Sequence, residues 1–279
     1  MSHSHDAHNG HMFGSSDHAD SAGQPWEGRA FDENPFAADD GTAPAVYLDA
    51  LAQFRSHAHD DEARYWAQAR VLDAIRLSRF LIPLLAEAGD VGVNAAGLVV
   101  DKTQELAIVT VEGPGGQRVL PVFSSVAAMQ AWNAQARPVP AEARRVALAA
   151  AADGADWVVI DPTSETEYVL RRPAVEAVAQ ASPWVPNTVD PMLRHVLDTS
   201  IVDEPFVHAI RLVAGDPEAR GFDEDLIVQL VLNPNLEEAE LTRIVQSLSQ
   251  KWAQEVIFSE RVDSMKLVLI PAVSGDSAQ

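Results

Sequence analysis

The 279-residue sequence has no cysteine. That excludes disulfides, thiolate zinc sites, iron–sulfur ligation and cysteine nucleophiles, and it fits a reducing compartment. Lysine is nearly missing, at positions 102, 251 and 266 only, so the bases are almost all arginine. Bases of either kind are outnumbered, 20 against 41 acids, for a net charge of −21. With no basic stripe interleaved with aromatics, nucleic acid and anionic membranes are excluded as expected partners. Long apolar runs are missing too. The longest, Phe80 to Ala88, is broken by Pro83 and Glu87 and falls short of the ~18 residues a membrane helix needs. No basic segment followed by an apolar stretch opens the chain, so a cytoplasmic location is expected.

What is present is enough for real cores, since 47% of residues are hydrophobic. The length indicates two domains, or one with appendages. Charge divides the chain unevenly. Residues 1–62 carry 12 acids and 2 bases, 63–185 carry 13 and 11, and 186–279 carry 16 and 7. Residues 1–45 are rich in His, Asp, Ser and Gly without helical or strand period, and they read as a disordered tail. Two islands interrupt it, Pro25-Trp26-Glu27-Gly28-Arg29 and Asn34-Pro35-Phe36. They serve either as a docking motif or as segments that pack back on their own domain.

Period and punctuation then give the elements. Trp66, Ala67, Val71, Ala74, Ile75 and Ser78 share one face of a helix over 62–79. Phe80 to Leu85 reads as a buried strand, and Leu106–Val111 with Arg118–Phe123 as a hairpin turning at Gly113-Pro114-Gly115-Gly116. Ser124 or Ser125 is placed to cap the helix carrying Met129 and Trp132. Pro138 and Pro140 separate it from an alanine-rich helix. Strands at 157–160 and 168–170, joined by a turn at Asp161-Pro162-Thr163-Ser164, lead into a helix from Pro173 to Ala179. Ser182 to Asn187 reads as a linker. Beyond it come a short helix, alternating strands at 206–212 and 226–232, and a helix opened by an Asn235/Glu238 capping box. Strands at 256–258 and 266–270 close the chain. The expected fold is mixed α/β or α+β. It comprises a tail (1–45), two small domains (46–182 and 187–272), each with a mixed sheet packed by helices, and a short tail (273–279).

Three phrases in this order resemble the SseB family, the enhanced serine sensitivity proteins. They are Phe80-Leu81-Ile82-Pro83-Leu84 after a helix, Leu120-Pro121-Val122-Phe123-Ser124-Ser125 before one, and Val159-Ile160-Asp161-Pro162 before a strand. Residues 62–182 resemble its N-terminal domain and 187–272, less closely, its C-terminal domain. The resemblance implies a bacterial cytoplasmic protein of α/β modules and brings no catalytic residues with it. Asp161 stands where the family often has Asn, and Ser124 where it often has Thr; both suit a turn or cap.

Candidate chemistry is sparse. His3, His5, His8 and His11, with His18, have spacings at which imidazoles can share a metal, but a Gly/Ser/Asp-rich segment offers little pre-organisation, so weak incidental affinity is expected. Ser124 or Ser125, Asp161, and His195 or His208 occur in nucleophile–acid–base order, without the Gly-x-Ser-x-Gly elbow. The glycine turn at 113–116 lacks the ending of a phosphate loop, and Asp223-Glu224-Asp225 lacks EF-hand spacing and reads as a solvated loop. No catalytic residue, cofactor or metal site is assigned. The expected function is a non-catalytic protein-binding or adaptor module, with a basic protein partner or a second copy of the chain. The alternative is an amino-acid sensor or enzyme acting at the cleft between the domains.

Overall fold

A computed structural model describes residues 35–59, 62–86, 92–93, 99–100 and 106–272. The N-terminal histidines and the Trp26 island lie outside the described residues. Two compact units are distinguished, Met1–Asp39 and Asp40–Gln279. In the first, residues 35–38 form a turn closed by Asp39 N–H donating to the Phe36 carbonyl.

In the second unit, α1 (Ala45–Ser56) and α2 (Glu62–Arg76) precede β1 (Arg79–Ala86). Two short pairs follow, β2 (Gly92–Val93) with β3 (Val99–Val100), and β4 (Leu106–Ile108) with β1. Then come β5 (Val111–Glu112), β6 (Arg118–Val122), α3 (Val126–Trp132), β7 (Arg137–Glu142), α4 (Ala143–Ala152), β8 (Trp157–Ile160), β9 (Tyr168–Leu170) and α5 (Arg172–Gln180). After the extended segment 182–186 lie α6 (Pro191–Ser200), β10 (Val207–Ala214), β11 (Leu226–Leu232), α7 (Glu238–Ala253), α8 (Val256–Arg261) and β12 (Met265–Pro271). The mixed α+β architecture expected from the sequence is the one observed.

The N-terminal region has sheets in the orders β4-β1-β7 and β5-β6-β8-β9. They are stitched by paired hydrogen bonds between Leu81 and Phe123. β8 and β9 are buried at every residue, as their uninterrupted apolar runs demand. One face carries Leu120, Val122, Val158, Ile160, Tyr168 and Leu170 into the main core. α1 covers it with Tyr47, Leu51 and Phe54, which recur at helical spacing. No element was expected from the sequence there; Pro44 at its N-cap makes no side-chain cap bond to announce it.

The C-terminal region has one three-stranded sheet, β10-β11-β12, antiparallel then parallel. Leu226, Val228, Leu230 and Leu232 of β11 point to one face, against Ile244, Leu248 and Trp252 of α7. Trp252 stacks on Phe258 at 5.7 Å.

Several local expectations are corrected. Trp66 is 46% exposed, off the buried stripe of α2. Leu106–Ile108 pairs with β1 rather than completing a hairpin, which shrinks to Val111-Glu112 against Arg118-Val119. Pro138 and Pro140 lie within β7, an edge strand, where a missing N–H is tolerated. Asn235 is in the left-handed turn region at φ +61°, and α7 starts after Glu237 without a side-chain cap. Residues 256–258 are helical, because Phe258 turns back onto Trp252.

Candidate functional site

Ser124 and Asp161 do meet. The Ser124 hydroxyl donates to Asp161 Oδ2 at 2.6 Å and its N–H to Oδ1 at 2.7 Å. Thr166 Oγ1 donates to Oδ2 at 2.7 Å. Asp161 sits at φ +49°, a geometry Asp and Asn tolerate, and both it and Ser124 are 1% exposed. A nucleophile needs a base beside it and a path to substrate. Here the hydroxyl proton goes to a buried carboxylate, while His195 in α6 and His208 in β10 are exposed. The arrangement closes a turn. Capping falls to Ser125 alone, whose Oγ accepts from Ala128 N–H at 3.1 Å.

A second polar centre was not foreseen. It lies where the loop between β10 and β11, residues 215–225, meets the N-terminal region. Arg171, at the start of α5, is 8% exposed. Its guanidinium lies 3.0 Å from Asp216, 3.5 Å from Asp263 and 3.9 Å from Asp225. It also stands 4.8 Å over the Trp157 ring, whose Nε1 donates to Asp263 at 2.9 Å. Asn187 Nδ2 donates to Asp225 at 2.7 Å. Burial pushes the Asp225 carboxyl up to about 6, against the pull of Arg171. The triplet expected to solvate a loop therefore turns one member, Asp225, inward.

Arg64 anchors the other end of the loop. It is 1% exposed in α2 and donates to the Pro217 carbonyl from Nε and Nη2, to Glu218 Oε1, and to the Phe54 and His57 carbonyls. Between the anchors the Ala219 carbonyl accepts the Val169 N–H at 2.8 Å, so the loop completes the edge of β9. Gly221, at φ +76°, has no room for a side chain: a Cβ would stand 2.9 Å from the Trp157 ring. The sequence holds faint traces of this loop in Gly215, Pro217 and Gly221. Nothing in local spacing reveals that Arg64 and Arg171, 107 positions apart, converge on it.

The cavity left at this junction measures about 40 Å³ and is lined by Arg171, Asp216, Asp225, Asn187 and Tyr168. At roughly 10–15 Å³ per water it holds a few waters. Among the described residues no group of three or more His, Asp or Glu is placed to hold a metal ion, and no helix is long and apolar enough to cross a membrane.

With this geometry in place, comparison identifies the first half of it. Residues 48–177 match the family described as SseB protein N-terminal domain. This segment is an SseB-family domain. The match runs from within α1 through most of α5, and so includes Ser124, Asp161, Arg64 and Arg171. It ends before the loop that Arg171 grips. No curated protein matches the chain.

The remaining surface of interest is the edge of β12. Of the other sheet edges, β7 carries Pro138 and Pro140, β9 is met by Ala219, β10 has a register shift at His208, and β4 and β5 are only three and two residues long. β12 runs seven residues in unbroken register with β11 and, among the described residues, has no strand on its other side. Its centre is Leu267-Val268-Leu269-Ile270, and Leu269 is 38% exposed.

Proposed function

We propose that the chain is a non-catalytic protein-binding module that takes a partner strand along β12. The observation that carries this reading is the contrast among edges. A long, straight, apolar edge is a template for strand pairing, and proteins ordinarily blunt such edges with prolines, bulges or charge. The other long edges carry those devices; β12 has Lys266 near its start and Pro271 at its end. Main-chain hydrogen bonds supply affinity in such pairing, and alternate side chains, here Val268 and Ile270 on one face and Leu269 on the other, supply specificity. The buried Ser124–Asp161 pair and the water-sized junction cavity offer no substrate site of comparable promise.

The test is a double variant, Val268→Lys with Leu269→Lys, which adds charge to the edge and leaves in place the half-buried Leu267 that packs on the C-terminal core. Affinity capture with the full chain from its source cells is expected to yield a reproducible partner that the variant loses, with the variant's circular dichroism and melting temperature kept. A second copy as partner registers as a dimer in sedimentation that the variant dissolves. Equal retention of all partners by the variant, with no change in oligomeric state, refutes the reading.

A further inference from the structure

A groove of about 530 Å³ runs between α5, the segment 182–192 and the end of α8. That is within the range of sites that take peptides and drug-sized ligands. Its wall is apolar: Trp184, Val185, Pro183 and Met192 line it, and Met192 is 57% exposed. Trp184 also packs on the main core, which fixes the wall in place.

The charged groups around it are Glu176, Asp190, Glu260 and Arg261. Asp190 is already committed. It caps α6 through Met192 and Leu193 N–H and faces Arg261 at 3.5 Å, which satisfies that arginine in turn. Glu176 has Arg172 at 3.3 Å, a surface i,i+4 pair of the kind that contributes little and exchanges readily. Glu260 is exposed and has no ion pair among the described residues. The groove therefore presents uncompensated negative charge beside a tryptophan. An arginine or lysine combines a long apolar stem with a cation, and it suits both features.

We propose that this groove receives a basic segment of a partner protein, with an arginine or lysine stem against Trp184 and its charge shared by Glu176 and Glu260. Residues 186–279, with 16 acids and 7 bases, extend the same field and steer a basic segment toward it. The chain's own first 62 residues, at 12 acids and 2 bases, have the wrong sign to fill it. The proposal shares the protein-binding reading but uses a surface separate from β12.

The experiment titrates the full ¹⁵N-labelled chain with the blocked peptide Ac-Leu-Arg-Pro-Arg-Leu-NH2 and with its counterpart carrying Glu for Arg. The Trp184 indole N–H, identified by Trp184→Phe, and the backbone of Met192 and residues 176–185 are expected to shift with the arginine peptide only. Added salt weakens the effect. Glu176→Gln with Glu260→Gln, both exposed, is expected to leave the spectrum folded and to weaken binding about fivefold. Silence of these signals at millimolar arginine peptide, equal binding of the glutamate peptide, or unchanged affinity in the double variant each overturns the proposal. Groove signals that move with protein concentration alone seat a second copy there and also overturn it. The β12 variant is expected to titrate like the wild type, so the two readings fail separately.

Discussion

The N-terminal and C-terminal regions each bury a carboxylate, and they treat it in opposite ways. Asp161 is held from within its own region, by two hydroxyls, one backbone N–H and no cation. Asp225 is held across the junction, by Arg171 from the N-terminal region and by Asn187, with Asp263 crowding it. The first centre shapes a turn within one region. The second couples two regions, and its three carboxylates around Arg171, with Arg172 reaching only Asp263 at 4.0 Å, leave it short of positive charge. Neutral hydrogen bonding suffices for a local turn. An ion cluster is the device found where separate elements must be held in one orientation.

Breaking the coupled centre is expected to have the largest effect. Arg171→Ala leaves three carboxylates facing one another and is expected to lower unfolding free energy by about 3–5 kcal/mol. Urea denaturation measures it. The comparison predicts that hydrogen exchange rises on both sides of the junction, in β9 and in the 215–225 loop, rather than in one region alone.

The pH response sharpens the contrast. Asp225 titrates near 6 instead of its ordinary 3.8. The stability linked to its protonated form is fully present below about 3.8 and is lost as pH rises through about 6, on the order of 3 kcal/mol at most. Asp225→Asn removes that titration. Wild-type stability minus variant stability is therefore expected to grow as pH falls from 8 to 4. Glu204 runs the other way. Burial raises it, but hydrogen bonds from Arg243 and Ser247, with the charges of Arg243 and Lys251, hold it below its usual value. Its contribution is lost as pH falls through that lowered value. A flat difference curve for Asp225→Asn would show that the carboxylate is not strained.

The smallest effect belongs to the local centre. Ser124→Ala deletes one donor to Asp161 and keeps the backbone N–H bond. It is expected to cost about 1 kcal/mol, with exchange changes confined to the N-terminal region. A fluorophosphonate probe is expected to leave Ser124 unlabelled; labelling would reopen the hydrolase reading.

Much of the layout was legible in the sequence, because it is written in local period. Phe80–Leu85, Trp157–Ile160, Tyr168–Leu170 and Leu226–Leu232 announce strands by composition and length, and Ile244, Leu248 and Trp252 announce a helix. α1 was readable in the Tyr47, Leu51, Phe54 spacing but was masked by the polar residues before it. α8 was missed because Val256-Ile257-Phe258 favours strand by propensity, while its place is decided by stacking on Trp252. Asp161 was legible as a turn residue, and of the two serines offered as a cap Ser125 takes that place, while Ser124 bonds Asp161 in a contact over 37 positions. The junction was illegible: no pattern in the neighbourhood of Arg64 or Arg171 encodes the loop that arrives from the other half of the chain.

The Ala219 carbonyl on Val169 N–H has a consequence for anyone handling this protein in pieces. The family-matched segment stops at 177, yet the hydrogen bond that finishes its last strand comes from beyond that point. A chain cut there keeps its recognisable pattern but exposes the edge of β9, leaves Arg171 without its carboxylates and strips Trp157 of its cover. Such a fragment would present a fresh, sticky strand to its neighbours in solution. The boundary by which the sequence is recognised and the boundary at which the molecule can safely be divided fall in different places.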